Sequence, residues 1–490
     1  MLATGTLWRI ITDSPASLPS RAAPIPKDRN RLRNYIRSHD GTDKRTSMIR
    51  KAIIIGAAGR DFHDYLVYFK DNPDFQVVAF TATQIPYISN RTFPSSVAGR
   101  LYPEGIPIYP QEKLGELIES KDVTDVYFAY SDVSGPYVMS LASLVQSKGA
   151  SFHLLGPRDT MLRSSKPVVA VVADRTGAGK STISRLVVSI LLKMGLKPVV
   201  VRHPMPYGDL SVTVQRFQTH DDLDRYHATI EEREEYEGHI DNGIVVYAGV
   251  DYGAILNEAE KEGDVVIWDG GNNDFSFYLP DLTITVVDPM RPGDQSRYYP
   301  GETNVRLADA IAVNKVNIAS KKAVDEVVRS CRSLNQEALI VKTNSVATLD
   351  KPELVRGKRV VVVEDGPSVT HGGLSEGAGA VAARGVRGVL VDPRSKAVGS
   401  IRKAFQRFPK LGKVIPALGY SDAQLRDLER SINGVACDAV VLGTPSDLTR
   451  MIRIRRPVAR VQFEASEVGG HRLATLIQSN KRLKEAVRAS

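Results

Sequence analysis

Cysteine and tryptophan are scarce in this sequence, which contains 2 of each among its 490 residues. Cys331 and Cys437 are far apart and have no metal-ligand spacing. This pattern excludes a disulfide scaffold and suits a reducing compartment. We therefore interpret both cysteines as structural thiols and expect a cytoplasmic protein.

Long apolar runs are also missing. The longest, residues 186–192, is far shorter than the roughly 20 residues that a membrane-spanning helix needs. Residues 1–47 lack the compact apolar core of a signal peptide. The hydrophobic fraction of 42% and the charged fraction of 25% are ordinary for globular proteins. These features predict a soluble protein with no membrane partner.

The positive charge is unevenly placed. Residues 1–47 contain nine Lys and Arg against four Asp, so they carry more than half of the net charge of +9. The remainder of the chain is nearly balanced, which argues against a nucleic-acid partner. We interpret this Pro- and Arg-rich extension as disordered and favour Met48 as the natural start, with a basic binding tail as the alternative.

From Lys51 onward, apolar strands alternate with helical segments, which is typical of parallel sheets covered on both faces. The predicted fold class is α/β with three doubly wound parallel-sheet domains, of which the first is Rossmann-like and the central one is a P-loop NTPase fold. The predicted boundaries are 1–47 for the extension, 48–160 for the Rossmann-like domain, 166–350 for the P-loop nucleotide-binding and catalytic domain, 356–466 for a C-terminal α/β domain, and 467–490 for a C-terminal helix or tail.

A glycine-containing turn follows the first strand, at residues 56–60 with the sequence GAAGR. It resembles a dinucleotide-binding turn but does not match G-x-G-x-x-G. A tight connection between a strand and a helix is the favoured interpretation, and dinucleotide binding is the alternative.

The second domain opens with the sequence ADRTGAGKST at residues 173–182. It ends like a phosphate-binding loop, G-x-x-x-x-G-K-[ST], but Asp174 stands where the first glycine is expected. A continuous apolar strand precedes it and an amphipathic helix follows, which is the required context. The predicted nucleotide-binding residues of this loop are Asp174, Arg175, Thr176, Gly177, Ala178, Gly179, Lys180, Ser181 and Thr182.

Two further segments support a nucleotide site. Asp269 ends the apolar run DVVIWD and is predicted, together with the hydroxyl of Ser181, to hold Mg²⁺. Asp274 is a weaker candidate for the same role. Asn314 and Lys315 resemble the N-K-x-D motif of GTPases and are predicted to bind the nucleotide, but the fourth position is Asn, which favours ATP over GTP.

Cationic side chains cluster in predicted loops after the strands of the second domain. The carboxyl ends of parallel strands form the ligand crevice of such sheets, and Arg matches phosphate and carboxylate oxygens. Each Arg alone could be a solvated surface group, but together they indicate a second, anionic substrate. The predicted catalytic residues are Lys180, Arg202, His203, Arg216, His220, Arg291 and Arg297.

Several motifs in this order resemble the archaeal cyclic 2,3-diphosphoglycerate synthetase family. They are GAAGRDFHDY, ADRTGAGKST, VRHPMPYGDL, WDGGNNDFSFY, DPMRPGDQSRYYPGE and EDGPSVTHGG. The resemblance covers about residues 48–465. It implies an ATP-dependent ligase that converts 2,3-diphosphoglycerate, its anionic partner, into the cyclic phosphoanhydride and releases ADP and phosphate, with Mg²⁺ as cofactor. His371 could then reach the site from the third domain.

Other functions stay open at this point. A P-loop GTPase or ATPase switch, or a metal-delivery chaperone, would share the loop, but Asn317 and the absence of a Cys/His metal cluster from the sequence count against it. A P-loop ligase acting on another anionic metabolite would share both. The sequence leaves open whether a monovalent cation assists and whether the chain forms a homo-oligomer.

Overall fold

The computed structural model describes residues 49–57, 59–83, 91–203, 209–365, 369–370, 375–418 and 421–489. The chain divides into two compact units, one up to Thr160 and one from Met161 onward. The predicted extension 1–47, its proposed start at Met48 and the candidate His371 lie outside the described residues.

The first unit contains a six-stranded sheet with the order β3-β4-β2-β1-β5-β7. The strands of the unit are β1 Arg50–Ile55, β2 Phe75–Ala82, β3 Thr92–Phe93, β4 Ile106–Pro110, β5 Asp125–Phe128, β6 Val133–Ser134 and β7 Ser151–His153, of which β6 is not part of this sheet. Its helices are α1 Arg60–Asp64, α2 Ser95–Ala98, α3 Leu114–Ser120, α4 Gly135–Ser147 and α5 Pro157–Thr160. β1 pairs in parallel with both β2 and β5, and its apolar residues Ile53 and Ile54 are fully buried, as expected for a sheet covered on both faces.

The glycine-containing turn after β1 is closed by the side chain of Asp61. The Asp61 carboxylate accepts hydrogen bonds from the backbone N–H of Gly59 at 3.1 Å and of Phe62 at 2.8 Å. A bound pyrophosphate would need such N–H groups for itself. The contact therefore supports the interpretation of a tight connection over that of a dinucleotide site.

The second unit contains a 13-stranded sheet with the order β10-β11-β9-β12-β8-β13-β15-β16-β21-β20-β17-β18, in which β19 also pairs with β17. The strands of the unit are β8 Val168–Ala173, β9 Pro198–Arg202, β10 Val214–Phe217, β11 Val246–Gly249, β12 Val265–Asp269, β13 Leu282–Val287, β14 Tyr298–Tyr299, β15 Ala310–Val313, β16 Leu339–Leu349, β17 Arg359–Asp365, β18 Val389–Leu390, β19 Val414–Ala417, β20 Ala439–Gly443 and β21 Val458–Val468.

The helices of the second unit are α6 Lys180–Lys193, α7 His220–Arg225, α8 Ile230–Ile240, α9 Tyr252–Glu262, α10 Asp294–Arg297, α11 Gly301–Leu307, α12 Lys321–Leu334, α13 Ala378–Gly385, α14 Gly399–Arg407, α15 Asp422–Gly434, α16 Arg472–Ser479 and α17 Lys481–Ala489. Buried residues recur along α6 at Ile183, Val187 and Leu191, a spacing that turns one face of the helix toward the sheet. None of the helices in the described ranges combines the length and apolar character needed to cross a membrane.

We call the part of this sheet formed by β8–β13 and β15 the nucleotide half, because the predicted phosphate-binding loop follows β8. Within it, β8 lies between β12 and β13 and runs parallel to both. All six of its residues are buried. The carboxyl ends of β8, β12 and β9 therefore meet at one edge of the sheet, and the loops that follow them share that edge. This arrangement confirms the predicted α/β class with parallel sheets.

The predicted second and third domains share one sheet. β16 and β21 pair in antiparallel fashion from Lys342 opposite Val468 to Leu349 opposite Val461. The last two helices also pack onto the nucleotide half, because Leu473, Ile477 and Leu483 lie in the same core cluster as Val169 and Ile183. A division of residues 166–466 into two separate domains is thus not confirmed.

Candidate functional site

The predicted phosphate-binding loop connects β8 with α6 and lies at the carboxyl edge of the sheet. Gly177 and Gly179 have φ values of +79° and +97°, in the left-handed region that favours glycine. A Cβ atom on Gly179 would also overlap the side chain of Asn314. Both glycines are thus required by the backbone path that turns the loop into the first turn of α6.

Side chains from neighbouring strands fix this loop from outside. Asn314 Nδ2 donates to the carbonyl of Ala178 at 3.0 Å, and Lys315 Nζ donates to the carbonyl of Gly177 at 2.6 Å. Arg291 Nη2 donates to the carbonyl of Thr176 at 2.8 Å. The structure therefore places Asn314, Lys315 and Arg291 against the loop, and their direct contact with a nucleotide or a second substrate stays a prediction.

Lys180 and Asp269 meet at this edge, as the sequence predicts. Lys180 Nζ donates to Asp269 Oδ1 at 2.9 Å, and Arg202 Nη1 lies 2.7 Å from the same oxygen. His239 Nε2 is 3.0 Å from Asp269 Oδ2. Asp269 is fully buried, so its charge is stabilised by these three side chains instead of by water.

The cationic neighbours decide the ionisation state of Asp269. Burial on its own would raise the pKa of the carboxyl, but the charges of Arg202 and Lys180 and the hydrogen bond of His239 hold it well below its usual range. Burial lowers the pKa of His239, which favours the neutral imidazole. The site therefore presents an ionised carboxylate at neutral pH.

Helix α8 carries a second carboxylate into this cluster. Glu235 Oε2 lies 2.5 Å from Arg202 Nη2 and accepts a hydrogen bond from Ser181 Oγ at 3.2 Å. Glu235 and His239 are four residues apart, so they share one face of the helix. A capping box between Thr229 and Glu232 fixes the start of α8.

Asp174, at the start of the loop, is only 1% exposed. Among the described residues, neither of its carboxylate oxygens has a hydrogen-bond partner. Burial raises the pKa of Asp174 to about 7, and the nearby carboxylates of Asp288 and Asp294 add to this against the opposing charge of Arg291. Its backbone is held in place, since Asn273 Nδ2 donates to its carbonyl at 2.8 Å.

The rest of the loop makes internal contacts. Arg175 Nη1 donates to Asp294 Oδ2 at 2.7 Å, and its guanidinium lies 3.4 Å from the ring centre of Tyr298. Thr182 Oγ1 donates to the carbonyl of Gly179 at 2.7 Å, so it caps the loop.

His203 follows Arg202 at the end of β9 and contacts Asp274, with 2.6 Å between His203 Nε2 and Asp274 Oδ2. A Cβ atom on Gly271 would lie 2.6 Å from His203 Nδ1, so the glycine makes room for the ring. Asp274, the weaker candidate for a metal ligand, is thus occupied by a histidine.

Arg216 and His220 form their contacts away from the phosphate loop. Arg216 Nη2 donates to Glu262 Oε1 at 2.6 Å, and His220 Nε2 lies 2.8 Å from Asp241 Oδ1. Strand β10 runs antiparallel to β11, so its carboxyl end points away from the edge where Lys180 lies. Arg297 ends the short helix α10, where its guanidinium packs against Gly293. The proposed role of these three residues as substrate clamps stays a prediction.

Sequence reasoning missed Glu235 and His239. The only available signal was their i, i+4 spacing in the charged helix IEEREEYEGHI. That spacing also occurs on solvated helix faces, so it does not identify a site without tertiary structure. Asp288, which binds both Arg291 and Lys315 behind the loop, was also missed, although it directly follows the apolar strand β13, as Asp269 ends β12.

Taken together, a loop with two left-handed glycines, a buried lysine, a hydroxyl and an ionised carboxylate meet at one sheet edge. Groups of this kind bind a polyphosphate chain and a divalent cation.

No family model matches the chain. Arginine synthetase ArcE of Thermococcus kodakarensis is 53% identical over 431 residues, which cover 88% of this chain and 96% of that protein.

The chain belongs to the arginine synthetase ArcE family. The cyclic 2,3-diphosphoglycerate synthetase of Thermococcus sibiricus is a second relative of this chain, and the two are 26% identical over 282 residues. That match covers 52% of this chain and 62% of the relative. Among solved structures, LpxK of Aquifex aeolicus, crystallised with ATP, covers 70% of this chain and 96% of its own at 13% identity, with a TM-score of 0.40.

These similarities refine the resemblance found in the sequence. A relationship to the cyclic 2,3-diphosphoglycerate synthetases is confirmed, but it is distant. The ArcE family relationship is much stronger, and its named member is a synthetase for arginine. Both relatives are synthetases, which supports the predicted enzyme and leaves its substrate as the point to decide.

Proposed function

We propose that the chain is a nucleoside triphosphate-dependent synthetase that uses ATP and forms arginine. The observation that carries this proposal is the 53% identity to an arginine synthetase over 88% of the chain. The meeting of Lys180, Ser181 and Asp269 at the phosphate loop supports the use of a nucleotide. The alternative product is cyclic 2,3-diphosphoglycerate, after the more distant relative.

The charge balance of the site favours the arginine proposal. 2,3-Diphosphoglycerate carries a carboxylate and two phosphates, so its binding beside ATP would need several cations that are free of acidic partners. Of the predicted clamps, His203 contacts Asp274 and Arg291 contacts Asp288, and neither of these acids belongs to the proposed metal site. A second substrate with less negative charge fits these paired cations better.

The chemistry of such a synthetase follows from its product. A guanidinium group arises from a ureido group when nitrogen replaces the ureido oxygen, and that oxygen is a poor leaving group. Transfer of the γ-phosphoryl group forms a P–O bond to the ureido oxygen and breaks the bond to ADP. A nitrogen nucleophile then forms the C–N bond, the C–O bond breaks, and phosphate leaves while the nucleophile loses a proton.

The residues present fit a magnesium ion at this site. The hydroxyl of Ser181 and the ionised carboxylate of Asp269 are the hard oxygen donors that Mg²⁺ prefers. When bound, Mg²⁺ would offset the charge of the triphosphate. Lys180 would bind the β- and γ-phosphate oxygens, and the backbone N–H groups of the loop would hold the rest of the chain. A role for a monovalent cation stays a prediction.

The nucleotide site is tested by replacing its lysine. We expect Lys180→Ala to reduce ATP turnover at least about 100-fold, because the transferring phosphate loses its main cation. Asp269 keeps Arg202 and His239 as partners, so the fold should persist by circular dichroism. Lys193→Ala, at the other end of α6, is the matched control. Normal turnover in Lys180→Ala would refute the proposed site.

The substrate is tested by comparing reactions side by side. The protein is incubated with Mg-ATP and either the ureido analogue of arginine plus an ammonium salt, or 2,3-diphosphoglycerate. We expect arginine and ADP in equal amounts from the first mixture and no cyclic phosphoanhydride signal in ³¹P NMR from the second. The reverse pattern would favour the cyclic diphosphoglycerate reaction. Repeating the assay with GTP in place of ATP tests which nucleotide the enzyme prefers.

A further inference from the structure

Glu235 lies beside the position where the phosphate loop presents its metal-binding hydroxyl. Ser181 Oγ donates a hydrogen bond to Glu235 Oε2 at 3.2 Å. In a P-loop this hydroxyl belongs to the metal site. A carboxylate that already contacts it is within reach of the same ion.

Arg202 connects Glu235 to the other carboxylate of the site. Its Nη2 atom lies 2.5 Å from Glu235 Oε2, and its Nη1 atom lies 2.7 Å from Asp269 Oδ1. Lys180 binds Asp269 from a further direction at 2.9 Å. Two carboxylates and one hydroxyl thus surround two cationic groups in a small volume.

Accessibility distinguishes the two carboxylates. The side chain of Asp269 is fully buried, and that of Arg202 is 2% exposed, whereas the side chain of Glu235 is 32% exposed. An ion that arrives with a nucleotide from solvent would therefore encounter Glu235 without any rearrangement of the core. Mg²⁺ in nucleotide sites takes one or two carboxylates together with phosphate oxygens and water.

We propose that Glu235 is the second carboxylate of the Mg²⁺ site and acts together with Ser181 and Asp269. This inference rests on the proposed nucleotide-dependent function. With an ion bound, Asp269 and Glu235 would exchange their contacts with Lys180 and Arg202 for the divalent cation. Lys180 and Arg202 would then be available for phosphate oxygens, so the charges of Asp269 and of the two buried cations would stay compensated.

The exchange is tested by binding of the non-hydrolysable ATP analogue AMPPNP, with and without Mg²⁺, by calorimetry. We expect Mg²⁺ to strengthen AMPPNP binding by the wild-type protein, and Glu235→Gln to reduce that enhancement at least about 10-fold, because loss of a group that only supports a metal ligand already costs about 10–100-fold in metal affinity. Metal-free AMPPNP should bind Glu235→Gln as well as the wild type or better, because Arg202 loses a competing anion. Glu258→Gln, at an exposed carboxylate of α9 that pairs with Lys261, is the matched control and should behave as the wild type.

The outcomes separate the two proposals. If the wild type binds AMPPNP in a Mg²⁺-dependent way and Glu235→Gln does so equally, Glu235 is not part of the metal site and the nucleotide proposal stands. If the wild type does not bind AMPPNP at all, both proposals fail. Glu235→Asp, which keeps the charge, should recover part of the Mg²⁺ enhancement of AMPPNP binding. Mn²⁺ affinity, measured by electron paramagnetic resonance, should fall less in Glu235→Asp than in Glu235→Gln. Equal Mn²⁺ affinities in all three proteins would overturn the inference.

Discussion

Asp174 places an ionisable carboxyl at the position of the phosphate loop where the G-x-x-x-x-G-K-[ST] motif has an uncharged glycine. Its carboxyl is buried, and its pKa is raised to about 7 from an ordinary value of 3.8, so the folded state binds the proton more tightly than the unfolded state. Its stabilising contribution is therefore complete below about pH 4 and is lost as the pH rises through about 7. Above that range the folded protein contains a buried charge that the unfolded chain exposes to water.

We therefore expect Asp174→Asn to stabilise the protein in a pH-dependent manner. The gain in the free energy of unfolding should be small near pH 4, grow between pH 4 and 7, and reach roughly 2–4 kcal/mol above pH 7, since one pKa unit corresponds to about 1.4 kcal/mol. Thermal unfolding of both proteins from pH 4 to 8 measures it. A difference that does not change with pH would contradict the buried-charge explanation.

Gly271 controls the position of His203 and offers a separate prediction. A Cβ atom there would lie 2.6 Å from His203 Nδ1, so Gly271→Ala should displace the ring and break its contact with Asp274. We expect kcat to fall at least about 10-fold, with a smaller change in AMPPNP affinity, because His203 is a predicted substrate contact and misplacement of such a group lowers the rate strongly. The measurement is steady-state kinetics together with calorimetry. Gly385→Ala, where an added Cβ atom meets no other atom within 4 Å, is the control. An unchanged kcat in Gly271→Ala would show that His203 has no role in turnover.

At the scale of single residues, the sequence predicted the site residues that belong to a local sequence pattern. Lys180 and Ser181 are part of one continuous motif, and Asp269 ends an apolar strand that pairs directly with the strand before the loop. Glu235 and His239 could not be predicted, because nothing in their own helix fixes which of its faces meets the sheet. Their position beside Arg202 and Asp269 depends on packing between segments distant in the sequence.

At the scale of elements, α8 positions the missed side chains. Thr229 Oγ1 accepts a hydrogen bond from the backbone N–H of Glu232 at 3.3 Å, and the Glu232 carboxylate accepts one from the N–H of Thr229 at 2.8 Å. This reciprocal pair stabilises the first turn of the helix, one turn before Glu235. Loss of the cap should therefore affect the site as well as stability.

We expect Thr229→Ala to cost about 1 kcal/mol of stability, as is usual for a lost cap, and to weaken Mg²⁺-dependent AMPPNP binding by a smaller factor than Glu235→Gln. Ser320→Ala is the matched control, since Ser320 caps α12, which carries no proposed ligand of the site. Chemical unfolding and calorimetry measure the two effects. If both variants weaken AMPPNP binding equally, α8 has no particular role in positioning.

The direction of one strand places Arg216 differently from the sequence expectation. The sequence predicts Arg216 in a cationic segment at the carboxyl end of a parallel strand. β10 runs antiparallel to β11 at the edge of the sheet, so Arg216 meets Glu262 at the end of α9. A four-residue strand gives no sequence signal for its direction, which is set by pairing with β11.

At the scale of the whole molecule, the continuous sheet makes the end of the chain part of the nucleotide half. Ile477 is fully buried in the core cluster that contains β8 and α6, although the sequence predicts only a terminal helix or tail there. The apolar period of that segment predicts a helix, but it does not reveal the surface on which the helix packs.

We expect Ile477→Ala to destabilise the second unit by about 2–5 kcal/mol, the usual cost of emptying a buried aliphatic site. Fluorescence of Trp268, which is buried in this unit, reports its unfolding in denaturant when Trp8 is replaced by Phe. Leu192→Ala, at a side chain that is 46% exposed, should change stability by no more than about 0.5 kcal/mol. Equal effects of the two variants would show that the terminal helices contribute little to the core.

The pairing of β16 with β21 also bears on how the protein is made. Chains emerge from the ribosome from the amino terminus, and domains generally fold as units in that order. The phosphate loop is synthesised long before β21 and the two helices that follow it, yet its half of the sheet is completed by those last segments. A nascent chain should therefore acquire ligand-binding competence only after α16 and α17 have been synthesised, and removal of these two helices should impair nucleotide binding even though every proposed site residue is present.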